Sequence, residues 1–275
     1  MPSLALCYAR LLYAAYGFPD SGKTPPLVAR KIGCVSAKMQ DKRKNSQPSR
    51  GFFTSEQAML LLAHRGYHQS VPENTLAAFE AAAAQGLDGV ETDVRLSRDG
   101  QALLIHDRVI GNRKQVAELT RREIERALAH SVPTLAEALE HLRDILWNIE
   151  IKTTDALPAV LEILRRYQQN RRLFVTSFRH EVVVRCAESL EVDCGLLVAH
   201  RPVHLQELLN RHTNRHKIRS IVWDYDILDE EMLRETAASG WRSFVYGAVT
   251  LSEHRHCAGL NLAGLITDYP QYLKK

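Results

Sequence analysis

Residues 59–75 read Met-Leu-Leu-Leu-Ala-His-Arg-Gly-Tyr-His-Gln-Ser-Val-Pro-Glu-Asn-Thr. The apolar run 60–64 is too short for a helix and is stopped by Gly66, so it reads as a buried strand. From Pro72 the period changes. Leu76, Phe79 and Ala83 recur at helical spacing and Gly86 stands where a C-cap is expected, so 72–85 reads as a helix. A buried strand followed at once by a helix opens a β–α unit.

Outward from that stretch the pattern repeats. Short apolar runs recur at 90–96, 146–152, 173–178, 195–199, 220–225, 243–246 and 262–267, which with the first makes eight. Helical segments are expected at 135–142, 157–167, 181–189, 205–211, 230–238 and 253–258. A further strand-like segment, 102–107, follows the second run across Ser97-Arg-Asp-Gly100. A link that short makes an antiparallel hairpin, because a parallel crossover needs a dozen residues or more. Residues 97–133 are therefore expected to leave the top of the second strand as a short hairpin-containing insertion. Eight strands with intervening helices predict an α/β chain folded as a (β/α)8 TIM barrel. A doubly wound open sheet is the alternative, but no glycine-rich phosphate turn follows the first strand.

The chain has 275 residues, 45% hydrophobic and 25% charged, enough for one large domain with a full core. Its net charge of +4 is unevenly placed: the first 58 residues hold nine Lys/Arg against three acidic residues, which leaves the remainder at −2. A slightly acidic domain gives no reason to expect a nucleic-acid partner. The stretch from Lys38 to Arg50, Lys-Met-Gln-Asp-Lys-Arg-Lys-Asn-Ser-Gln-Pro-Ser-Arg, has one apolar side chain and cannot offset the entropy of ordering. The expected division is a disordered basic tail or upstream extension over 1–58 and a barrel over 59–275. The apolar stretch 4–18 fits a signal peptide, a transit peptide or no targeting role, and translation starting at Met59 is a further reading. Stretch 4–18 is too short and too broken to span a membrane, so no stable membrane insertion is expected. Five cysteines at scattered spacing, with no CxxC pair, fit free thiols in a reducing cytoplasm.

In a barrel of this kind chemistry sits at the C-terminal ends of the strands. His64 and Arg65 end the first run. Glu91 and Asp93, two apart in the second, share a face, and Glu150 and Lys152 repeat the spacing in Asn148-Ile-Glu-Ile-Lys152. Glu-x-Lys taken alone favours a buried ion pair with no metal. Three carboxylates converging in an apolar barrel repel one another unless a positive group sits among them, and oxygen-only ligation suits one hard divalent cation, Mg²⁺ or Ca²⁺. His64 and His106, each beside a charged residue, suit acid and base roles. His68 is expected to be exposed or near substrate. Trp223 and Tyr225 are expected to pack rather than to form an aromatic wall.

These residues together resemble the glycerophosphodiester phosphodiesterases, which are phosphatidylinositol phospholipase C-like TIM-barrel enzymes. The resemblance runs from about Met59 to the C-terminus. It rests on His64-Arg-Gly with Pro72-Glu-Asn-Thr75, Glu91-Thr-Asp-Val94, Asp99-Gly100, His106-Asp107, Asn148 to Lys152, Ser177-Phe178 and Ile266-Thr-Asp-Tyr-Pro270. It implies metal ligation by Glu91, Asp93 and Glu150, catalysis by His64 and His106, and phosphate or substrate contacts by Arg65 and Lys152. The implied reaction is metal-dependent hydrolysis of a small glycerophosphodiester to sn-glycerol 3-phosphate and an alcohol. A phospholipase C- or D-like activity on lysophospholipid or lipid, and a non-catalytic barrel that binds phosphate esters, are the alternatives. Two departures bear on the alcohol side. Residues 108–131 lack the family's longer insertion, and Tyr246-Gly-Ala-Val249 stands where Trp-Thr-Val-Asn is usual.

Overall fold

The computed structural model of the chain describes residues 58–111, 113–212 and 216–273. The expected tail over 1–58 lies outside the described residues apart from Ala58, as do Cys7 and Cys34.

Eight parallel strands close a barrel in sequence order: β1 (Leu60–Ala63), β2 (Gly89–Leu96), β3 (Leu146–Ile151), β4 (Arg172–Ser177), β5 (Asp193–Val198), β6 (Ile218–Asp224), β7 (Arg242–Tyr246) and β8 (Gly264–Thr267). Closure is made by β1, which pairs Leu60 with Gly264 through Ala63 with Thr267 on one side, and Leu62 with Gly89 on the other. All eight expected strands are present. Each is short because a barrel strand is covered on both faces and crosses the core once.

The inner face carries Leu60, Leu62, Leu146, Phe174, Leu197, Val222, Phe244 and Ile266, all buried. Phe174 and Phe244 meet with ring centroids 5.0 Å apart and fill the barrel's waist. They fit because glycine takes the neighbouring positions: a Cβ on Gly195 would lie 2.6 Å from Phe174 Cζ, and one on Gly264 would lie 2.6 Å from Phe244 Cε1. Outside the sheet, Phe79 packs edge-on against Trp147 at 5.0 Å, and the Trp147 indole donates to Leu142 O at 3.1 Å.

The helices are α1 (Leu76–Ala84), α2 (Arg121–Leu128), α3 (Leu135–His141), α4 (Leu157–Tyr167), α5 (His180–Ser189), α6 (Leu205–Asn210), α7 (Glu230–Ala238) and α8 (Leu251–Gly259). After β8 the described chain makes a 3-10 turn, Pro270–Tyr272, rather than an α-helix. The N-cap of α1 is Thr75, whose hydroxyl accepts from Ala78 N, so the motif's last residue starts the helix.

Residues 97–133 form the expected excursion. Strand Ala102–Leu104 pairs antiparallel with β2, with Val94 opposite Leu104, and Gly100 at φ 76° donates to Ser97 O to close the turn. The excursion has a core of its own: Leu103, Ile105, Ile110, Val116, Leu119, Ile124 and Val132. Helix α2 is absent from the sequence-based expectation. Its signal was the capping box Thr120–Glu123, in which each side chain bonds the other's backbone, but one buried residue, Ile124, makes too narrow a stripe to register as periodic.

Candidate active site

Strands β2 and β3 run in register with Glu91 beside Asn148 and Asp93 beside Glu150, so alternate positions on both strands place four polar side chains inside the barrel mouth. Ligand oxygens of Glu91, Asp93 and Glu150 lie within 4.8 Å of one another, and all three residues are buried. Lys152 bridges two of them, with Nζ 3.1 Å from Asp93 Oδ1 and 2.8 Å from Glu150 Oε1. The ion pair expected of Glu-x-Lys and the carboxylate cluster are therefore both present.

Arg65 is shaped by its backbone. Its φ of 53° is a left-handed conformation that costs a non-glycine residue energy. The turn is held because Arg65 N donates to Glu91 Oε2 at 3.0 Å and Asn74 N donates to Arg65 O at 2.9 Å. The guanidinium faces Glu73, with Nη1 2.9 and 3.0 Å from the two carboxylate oxygens, and its Nε lies 3.4 Å from Asp93 Oδ2. Asn74, also left-handed at φ 54°, donates to Asp93 Oδ2 at 2.9 Å and accepts from the Thr92 hydroxyl at 2.7 Å.

The two histidines arrive by different routes. His64 ends β1; its Nδ1 donates to Asp268 Oδ1 at 2.8 Å and its Nε2 stands 3.9 Å from Glu91 Oε2. His106 is carried back over the mouth by the hairpin: Ile105 N donates to Asp93 O, and Arg95 Nε donates to His106 O at 2.7 Å. His106 Nδ1 donates to Asp107 at 3.0 Å. A cleft of about 140 Å³ is lined by His64, Arg65, Glu91, Asp93, His106, Glu150 and Lys152, with Phe178 and Tyr246 completing its wall. All seven sequence-chosen residues meet there. A larger groove of about 920 Å³ runs between α1, the excursion and α3, lined by such residues as Leu76, Pro133 and Ala136, and holds none of them.

The electrostatics point to a positive guest. Burial, then Asp93 and Glu150, push the Glu91 carboxyl well above the usual carboxylate range. Burial also raises Glu150, against the pull of Lys152. For Asp93 burial is outweighed by Lys152, Arg65 and Asn74, which hold its carboxyl below the usual range. Glu91 Oε1 and Asn148 Oδ1 are buried with no hydrogen-bond partner. An orphaned carboxylate oxygen in a three-carboxylate pocket fits a hard divalent cation.

The family model for glycerophosphoryl diester phosphodiesterases matches residues 64–272. The chain belongs to this family. A glycerophosphodiester phosphodiesterase of Caldanaerobacter subterraneus subsp. tengcongensis is 28% identical over 242 residues, 78% of this chain and 96% of the relative. Glycerophosphodiester phosphodiesterase 1 of Bos taurus is 33% identical over 51% of this chain and 49% of its own length. The crystal structure of the Thermotoga maritima glycerophosphodiester phosphodiesterase superposes with a TM-score of 0.68 at 28% identity, covering 79% of this chain and 97% of that one. An Oleispira antarctica phosphodiesterase, solved in complex with the product sn-glycerol-3-phosphate, has a TM-score of 0.68 at 24% identity over 78% of this chain and 94% of its own.

The site also contains residues that spacing alone did not single out. Asp268, Glu73 and Asn74 each bond a site residue, and each lies inside a motif already quoted, which was the available signal. His68 is tied in as well, its Nε2 3.0 Å from Asp268 Oδ1. Trp223 is fully buried with its indole donating to Ser243, and the Tyr225 hydroxyl pairs with His256, so neither forms a wall of the cleft. No helix among the described residues is long and apolar enough to cross a membrane.

Proposed function

We propose that the chain hydrolyses glycerophosphodiesters to sn-glycerol 3-phosphate and an alcohol, by acid–base catalysis at His64 and His106 beside one divalent cation, Mg²⁺ or Ca²⁺, held by Glu91, Asp93 and Glu150. The observation that carries this reading is the clustering of the three buried carboxylates in the cleft that both histidines line. The product seen in the Oleispira antarctica enzyme supports the same substrate class.

A bound cation would supply charge neutralisation on the phosphoryl oxygens. Arg65 grips the phosphate with its planar guanidinium, whose Nη1 now bonds both Glu73 oxygens and exchanges carboxylate for phosphate oxygens. Lys152 adds a second positive charge and keeps Asp93 and Glu150 from repelling each other. Each histidine donates Nδ1–H to an aspartate, which directs its Nε2 as the working atom. One removes the proton of the nucleophile, water or a neighbouring glycerol hydroxyl, and the other returns a proton to the leaving alkoxide.

A lysophospholipid is a second substrate reading, favoured by exposed Phe178, Val203 and Val249 in loops that follow β4, β5 and β7 on the same barrel face. The buried thiols of Cys186, pushed up to about 12 by burial, and of Cys194 and Cys257 support a reducing, cytoplasmic setting. The deciding assay is release of sn-glycerol 3-phosphate from glycerophosphocholine, glycerophosphoethanolamine and a lysophospholipid, with Mg²⁺ or Ca²⁺ against EDTA. Full turnover in EDTA would refute the metal-dependent scheme.

A further inference from the structure

Strand β3 carries Leu146, Asn148 and Glu150 on its inner face, one residue in two. Leu146 belongs to the apolar waist and Glu150 to the carboxylate cluster, so Asn148 stands at the boundary between them, fully buried and beside Glu91 in the β2–β3 register. It has no part in the acid–base scheme. A buried amide is costly unless both of its ends find partners, so the position needs a physical reason.

One end is accounted for. Asn148 Nδ2 donates to Thr176 Oγ1 at 2.7 Å and, more weakly, to Phe174 O at 3.4 Å, both on β4. A backbone carbonyl only accepts, so the NH2 group must face β4, and this settles which way the amide is turned. The other end faces the cleft that Asn148 lines. There Oδ1 is buried with no hydrogen-bond partner, and Glu91 Oε1, on the neighbouring position of β2, is buried in the same state. An amide carbonyl and a carboxylate both accept only, so neither can satisfy the other. Two such oxygens side by side call for a positive group.

We propose that Asn148 is a further ligand of the divalent cation, its Oδ1 joining the oxygens of Glu91, Asp93 and Glu150 as a fourth, uncharged protein donor. The proposal rests on the metal-dependent reading above. Asparagine carbonyls are ordinary ligands of hard cations, Ca²⁺ above all. The neutral oxygen also adds a ligand where a fourth buried carboxylate would add repulsion. Thr176, by holding the NH2 group, keeps that oxygen turned to the cluster.

The test is calorimetric titration of the full chain with Ca²⁺ and with Mg²⁺, together with melting curves in EDTA and in each cation. Asn148→Leu keeps the approximate volume but offers no oxygen, and should weaken Ca²⁺ binding by about tenfold or more, since even partners that merely orient a ligand cost that much. Asn148→Asp loses the same amide donor but keeps an oxygen in place. It should bind Ca²⁺ at least as tightly as the wild type and melt lower in EDTA, where a fourth buried carboxylate has nothing to neutralise it. A packing role for the amide predicts equal losses in both variants, because neither can donate to Phe174 O. Equal losses, or wild-type affinity in Asn148→Leu, as when a water alone satisfies the oxygen, would overturn the proposal and leave the three-carboxylate site standing. Should Asn148→Leu not fold, Asn148→Asp decides alone: its metal-induced rise in melting temperature should exceed that of the wild type, and a smaller rise would overturn the assignment. A wild type that binds neither cation would remove the metal-dependent reading and this ligand with it.

Discussion

His64 and Asp268, 204 residues apart in sequence, share a hydrogen bond of 2.8 Å between Nδ1 and Oδ1 at the mouth of the barrel. The bond follows from closure: β1 and β8 pair Ala63 with Thr267, and His64 N donates to Thr267 O, so the next residue on each strand meets the other. Because a carboxylate only accepts, Asp268 sets the His64 tautomer and leaves Nε2 free on the Glu91 side. His64→Ala is expected to lower kcat by about 10²- to 10⁴-fold, the usual range for losing a general acid or base. Asp268→Asn, whose amide can donate to Nδ1 and stabilise the wrong tautomer, should cost on the order of tenfold or more in kcat. Metal affinity measured by calorimetry should be unchanged in both, and a parallel loss of metal binding would show that the effect is structural.

Asp268 also ties stability to pH through His68. The His68 bond to Asp268 raises the imidazole above its ordinary value, and for Asp268 burial is overridden by its two histidine partners, which hold the carboxyl far below the usual range. A depressed carboxylate contributes stability above its unfolded pKa of about 4, lost as pH falls through the folded value; a raised histidine contributes below about 6.5, lost as pH rises through its folded value. Together they act most strongly between about pH 4 and pH 6.5. Melting curves of wild type and His68→Gln should differ most in that window, and the difference should fade as pH rises through the raised His68 value. A difference that is flat from acid to alkaline pH would contradict the pairing.

The carboxylate cluster predicts opposite responses with and without metal. Burial and two like charges make Glu91 costly in the metal-free chain. Glu91→Gln should therefore melt no lower than wild type in EDTA. With free Mg²⁺ or Ca²⁺ at about a hundred times its Kd, the wild type should gain about 2.7 kcal/mol, or about 5 °C or more, and the variant far less. Equal metal-induced shifts in both proteins would remove Glu91 from the ligand set.

The barrel's waist predicts a purely mechanical effect. A methyl added at Gly195 or Gly264 would strike Phe174 or Phe244 at 2.6 Å. Either glycine-to-alanine change should destabilise by about 1–3 kcal/mol through overpacking. Urea denaturation should show a lower midpoint at unchanged slope. Pairing Gly195→Ala with Phe174→Leu should recover part of the loss, and strict additivity of the two would argue against the clash.

The legible part of this protein was whatever local pattern reports. Eight short apolar runs marked eight strands because each is buried on both faces, and Ser97-Arg-Asp-Gly100 marked a hairpin because no crossover is that short. Glu91, Asp93 and Glu150 were recognisable because strand alternation carries spacing of two directly into a shared face. Helix α2 escaped because its amphipathic stripe is one buried residue wide. His68 looked like a loop residue because its partner, Asp268, lies 200 positions away.

What the sequence alone determined, then, was the order of strands and, through alternation, the face that Glu91 and Asp93 share and the one that Glu150 and Lys152 share, since periodicity encodes burial residue by residue; His64, Arg65 and His106 stood out by their places at strand ends and by the family resemblance. Only the tertiary structure decided that Asp268 bonds both His64 and His68 where β8 closes against β1. Those contacts join strand ends and loops across the closed barrel. Their existence depends on register and on closure, which are properties of the whole sheet that no single stretch of chain records.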